Sequence, residues 1–144
     1  MLKIAGDIGA DGGLYRAIEF CGPGIDGMTL ASRFVLTNMA VEIGAKNGYM
    51  IPNAEVLAYV KSRAKQEFEV VESDPDANYD EVLHYNLADI EPMVAKPHTV
   101  DNVAPVAVVA GTKIDQVFFG SCTNTRIEDF EVVVSILKGK KVHP

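Results

Sequence analysis

The chain has 144 residues, 48% of them apolar, with 13 Lys and Arg against 20 Asp and Glu for a net charge of −7. That is enough apolar material for one domain core, or for one domain and the beginning of a second, and too much for a disordered tail. The negative balance repels phosphate backbones and anionic bilayers, so neither nucleic acid nor membrane is an expected partner.

Gly6, Gly9, Gly12 and Gly13, with Asp7 and Asp11, read as a loop-like opening, after which Leu14–Phe20 alternates as a strand does. The opening has no Gly-Lys-Ser/Thr ending and no strand before it, so it makes a poor phosphate loop. A turn follows at Gly22-Pro23-Gly24, Asp26 or Thr29 can cap the next element, and Leu30 to about Ala45 reads as a buried helix ending near Asn47-Gly48. Pro52 or Asn53 opens a second helix, apolar at Val56, Leu57, Val60 and Ala64. Phe68–Val71 suits a strand, Glu72–Asn78 an acidic turn, and short extended pieces are expected near Tyr85–Leu87, Pro92–Val94 and Val106–Val109. Ile114–Phe119 then reads as an apolar strand that hands over to a helix near Arg126. Thr125 and Glu128 match a capping box there, and Ile127, Phe130, Val134 and Leu137 make an apolar stripe. Strands alternating with helices predict an α/β fold, with one unit over residues 1–110 and the first strand and helix of a second over 111–144.

Gly120-Ser121-Cys122-Thr123-Asn124 places a thiol at the strand-to-helix junction, in the expected first turn, where the positive end of a helix dipole favours the thiolate. A thiolate is what a metal or an iron–sulfur cluster binds, although a small buried structural cysteine remains the alternative. Ser121, Thr123, Asn124 and Thr125 supply more polar side chains than one helix cap needs. The second cysteine, Cys21, is about a hundred positions away and no Cys-x-x-Cys pair occurs, so a disulfide scaffold is not expected and a reducing cytoplasm suits the chain. Met1–Asp7 lacks the apolar core of a signal peptide, and no apolar run approaches the ~20 residues that span a bilayer.

Asn38 and Glu42 stand four apart in an otherwise apolar stretch, on one face of the expected helix. Glu42 is either a structural carboxylate bonded to a neighbouring turn or a general base in a dry site. His84, His98 and His143 have no second His or Cys at i+3 or i+4 and read as surface or structural residues. A cysteine-nucleophile site that uses Cys122 with His98 or His143 is the rival from a different class.

Two segments carry a family resemblance. Thr37-Asn38-Met39-Ala40-Val41-Glu42-Ile43-Gly44-Ala45 and Val117–Asp129, with its Gly-Ser-Cys-Thr-Asn core, resemble the aconitase superfamily, most closely the large-subunit branch of the 3-isopropylmalate dehydratases, with the homoaconitases as near kin. Ala17–Phe20, Glu91–Ala95 and Pro97–Val103 agree, so the likeness covers essentially the whole chain. It implies part of a layered α/β/α iron–sulfur domain and a hydro-lyase that interconverts 2- and 3-isopropylmalate in leucine biosynthesis. It also implies a [4Fe–4S] cluster on three cysteines, of which Cys122 matches the first, and a small swivelling-domain subunit that supplies the serine base. By the same matching Glu42 is the catalytic glutamate that handles the proton of the iron-bound hydroxyl, while Asn38, Ser121 and Asn124 surround the cluster.

The other two cysteines, expected as a Cys-x-x-Cys pair towards the C-terminus, do not occur here, nor do the His- and Asp-containing segments and the carboxylate-gripping arginines of the family. The chain therefore resembles an internal piece and is expected to be inactive alone and to self-associate. Its substrate is expected to be a small 2-hydroxy di- or tricarboxylate. The alternatives are a homoaconitase or aconitase-type tricarboxylate hydratase, and a non-catalytic folding module.

Overall fold

The computed structural model describes residues 1–141, which fall into two compact units, Met1–Ala110 and residues 111–141.

In the first unit, helices pack against two small two-stranded sheets. The glycine-rich opening, expected as a loop, begins with helix α1 (Leu2–Ile8). Packing overrides the poor helix propensity of Gly6 and Asp7: Ala5 is fully buried, and the Val103 side chain occupies the space that a Cβ at residue 6 would take. Strand β1 (Ala17–Glu19), shorter than the expected Leu14–Phe20, follows, then a one-turn helix α2 (Pro23–Asp26). Helix α3 (Leu30–Met39) starts at Thr29, whose hydroxyl accepts the Ser32 N–H at 3.3 Å.

The helix expected to run to Ala45 tightens instead into a 3-10 turn, Ala40–Ile43, and stops at Gly44, whose φ of 82° suits a residue without Cβ. The Asn47-Gly48 region, read as a helix end, is strand β2 (Asn47–Tyr49), parallel to β1 with Ala17 opposite Asn47 and Glu19 opposite Tyr49. A parallel pair needs a crossover, and α3 provides it. Helix α4 (Ala54–Lys61) follows the expected Asn53 cap, which accepts the Val56 N–H at 3.0 Å. Strands β3 (Met93–Ala95) and β4 (Val103–Pro105) form an antiparallel pair.

Three expected extended pieces do not form ladders. Phe68–Val71 is irregular, Tyr85–Leu87 runs into a 3-10 turn at Leu87–Asp89, and Val106–Val109 is itself a 3-10 turn. The core of this unit consists of Ala5, Ala40, Ile43 and Ala45 beside a second cluster of Phe20, Leu36 and Met50, both packed against Met1, Ile4 and Ile18.

Among the described residues, the second unit contains one element, helix α5 (Ile127–Leu137). Ile114–Phe119, expected as a strand, is irregular, and no residue from 111 to 141 is buried. A strand needs a partner to satisfy its backbone, and among the described residues of this unit there is none. The α5 stripe forms as expected but lies open to solvent: Ile127 is 72% exposed, and Phe130, Val134 and Leu137 are exposed too.

Candidate functional site

The Cys122 loop is built from short-range bonds. Ser121 N–H donates to the Asn124 carbonyl at 3.1 Å, closing a tight turn over Cys122 and Thr123. Thr123 N–H donates to the Ser121 hydroxyl at 3.1 Å, and the Thr125 hydroxyl donates to the Ser121 carbonyl at 2.6 Å. Arg126 reaches back with one guanidinium nitrogen to the Thr123 carbonyl at 2.8 Å.

Asp129 ties this loop to α5. One of its oxygens accepts the N–H groups of Thr125 at 3.0 Å and Arg126 at 2.9 Å, and the other accepts the Asn124 amide at 3.3 Å. Those bonds, led by the one from Arg126, hold its carboxyl below the ordinary value of 3.8. The capping carboxylate is therefore Asp129, not Glu128, and the cap position is Arg126 rather than Thr125. Cys122 is exposed and lies four residues before that cap, outside the first turn and at the end of no strand, so the dipole argument for its thiolate does not apply.

Asn38 belongs to the last turn of α3 and Glu42 to the 3-10 turn after it, both in the first unit; Ser121, Cys122 and Asn124 belong to the second. A 3-10 turn winds by about 120° per residue against about 100° for an α-helix, so Glu42 is carried further round from Asn38 than the four-residue spacing suggests. Asn38 and Glu42 are both exposed, which removes the dry setting expected for a buried base. The flanking Ala40 and Ile43 are buried, so the turn itself is seated firmly. Its far side is fixed by Gly13, whose N–H donates to the Ile43 carbonyl at 2.8 Å. A Cβ on Gly13 would meet that oxygen at 3.0 Å, which gives this glycine a role in close backbone approach and not in phosphate binding.

His84 and His98 are exposed, as read from sequence, and His143 lies outside the described residues. Neither cysteine is in a disulfide. Among the described residues no three His, Cys, Asp or Glu side chains are grouped so as to hold a metal ion. A cluster on three cysteines therefore does not fit the described residues by themselves; Cys122 would supply one donor toward it. No helix of the described residues is long and apolar enough to cross a membrane.

Sequence reasoning missed Arg33, which is 3% exposed in α3. Its only signal in the sequence is a lone guanidinium in an apolar helix. It also missed a polar group at the carboxyl end of β1, where Glu19 accepts the hydroxyls of Ser73 at 2.5 Å and Tyr79 at 2.6 Å.

Known proteins align with this arrangement from end to end. The chain is 50% identical to "3-isopropylmalate dehydratase large subunit 1" of Methanopyrus kandleri over 143 residues, 99% of this chain and 34% of that protein. It is 51% identical to the 3-isopropylmalate dehydratase large subunit of Desulfitobacterium hafniense, again over 99% of this chain and 34% of that protein. It is 48% identical to the "probable methanogen homoaconitase large subunit" of Methanothermobacter thermautotrophicus, over 99% of this chain and 33% of that protein. The chain thus spans about a third of the length of these relatives. Residues 1–144 match the Aconitase family (aconitate hydratase), and with helices and small sheets in one mixed α/β fold the chain belongs to that family.

Proposed function

We propose that the chain is the part of a 3-isopropylmalate dehydratase large subunit that contributes one cluster thiolate and one proton-handling carboxylate. Identity of about 50% to large subunits of that name, over 99% of this chain, carries the reading. Cys122 is the first of three ligands to a [4Fe–4S] cluster, which when bound supplies a Lewis-acidic iron. Glu42 takes and returns a proton at the substrate hydroxyl, and its exposure leaves it reachable by a small 2-hydroxy acid. Asn38 is assigned to the surroundings of Glu42, and Ser121 and Asn124 to those of Cys122. A small subunit completes the enzyme, as the names of the relatives imply for those proteins. Two cysteines outside any disulfide suit a cytoplasmic setting.

Anaerobic reconstitution with iron and sulfide tests the ligand count. The 144-residue chain is expected to take up no stoichiometric cluster, the full-length subunit one, and its Cys122→Ser variant none. A complete cluster on the Cys122→Ser subunit would refute the assignment. The homoaconitase reading has its own support in the relatives of that name at 48% and 50% identity. Assays of the assembled enzyme with 2-isopropylmalate and with homocitrate separate the two. The exposed α5 stripe is expected to make the isolated chain self-associate.

A further inference from the structure

The buried guanidinium of Arg33 is the strongest polar feature of the first unit. Its Nη2 donates to the Ile25 carbonyl at 2.8 Å, its Nη1 to the Ile51 carbonyl at 2.9 Å and its Nε to the Met28 carbonyl at 3.3 Å. A buried charge costs free energy unless it is well bonded, and here three neutral carbonyls do the bonding. They come from three places: the end of α2, the turn before α3 and the chain leaving β2.

The bond to Ile51 closes a loop of chain that contains Asn38, the 3-10 turn with Glu42, and β2. Inside that loop β2 lies hard against the helix, since a Cβ on Gly48 would meet the Ala40 Cβ at 2.9 Å and the Thr37 Cα at 3.0 Å. Two devices therefore fix the turn between helix and strand, a three-way clamp and a close approach.

We infer that Arg33 is a positioning residue that sets the placement of Glu42 by clamping α3 to the segment after β2. This rests on the proposed role of Glu42. Lysine cannot substitute, because an ammonium is a point donor that does not span carbonyls on three sides of a planar fork.

A double-mutant cycle on the assembled enzyme decides it. Arg33→Lys is expected to lower kcat for 2-isopropylmalate on the order of 10²-fold with KM changed less than about twofold, as misplacement of a catalytic group does. In a Glu42→Gln background, Arg33→Lys is expected to lower kcat no further, because the group it positions is gone. An equal fall in both backgrounds, or no fall in either, overturns the inference while leaving the assignment of Glu42 standing. Full activity of Glu42→Gln alone overturns both. Should Arg33→Lys fail to fold, Gly48→Ala perturbs the same turn from the strand side and is read through the same cycle with the same outcomes.

Discussion

Residues 1–110 and 111–141 meet the same physical demand with opposite results. In the first unit the apolar side chains of α1, α3 and the 3-10 turn find one another, and Ile43 ends at 0% exposure. In the second, α5 has an apolar stripe of its own, yet Ile127 and Val134 on it, like Phe118 before it, face solvent. Local signals suffice to wind a helix and tie off its start: Asp129 collects three donors within a span of six residues. They do not suffice to bury its apolar face, which takes surface from elsewhere.

That contrast can be broken by deletion of equal side chains. Ile43→Ala is expected to destabilise the first unit by about 2–5 kcal/mol, the range for buried aliphatic truncations. Ile127→Ala is expected to cost no more than about 0.5 kcal/mol, as exposed positions do. Urea denaturation of each variant measures both, and equal effects would abolish the contrast.

The exposed face itself supplies the next test. Light scattering is expected to show the 144-residue chain above its monomer mass, and Phe130→Glu with Val134→Lys to return it to the monomer. A monomer at every accessible concentration would mean that the α5 face needs no cover.

The smallest expected effect concerns Asp129. Its folded value lies below the ordinary 3.8, so its contribution to the loop is fully present above that pH and is lost as the pH falls through the depressed value. Amide shifts of Thr125 and Arg126 followed by NMR should titrate with a midpoint below 3.8. A midpoint at or above that value would show that the carboxylate does not hold the loop.

The parts of the fold visible in the sequence were those with a local cause. Asn53 caps α4, the apolar spacing in α5 gives a helix, and the Leu14–Phe20 alternation contains the shorter β1. The parts that were hidden depend on distant neighbours. Gly6 and Asp7 argue for a loop until Val103 packs against the helix they belong to. Ile114–Phe119 has a strand's composition, but composition does not provide a partner. The candidate site divides in the same way. Cys122, Asn38 and Glu42 stood out by residue type and setting, whereas Arg33 is defined by carbonyls at 25, 28 and 51 that no local pattern connects to it.

The parallel pairing of β1 with β2 has a consequence for the order of assembly. Among the described residues, every buried one except Ala104 lies within the first 50 positions. Contacts of short sequence separation close quickly, and a chain made from its amino end can seat them while later segments are still being synthesised. The 3-10 turn that carries Glu42 is thus seated before the loop that carries Cys122 has left the ribosome.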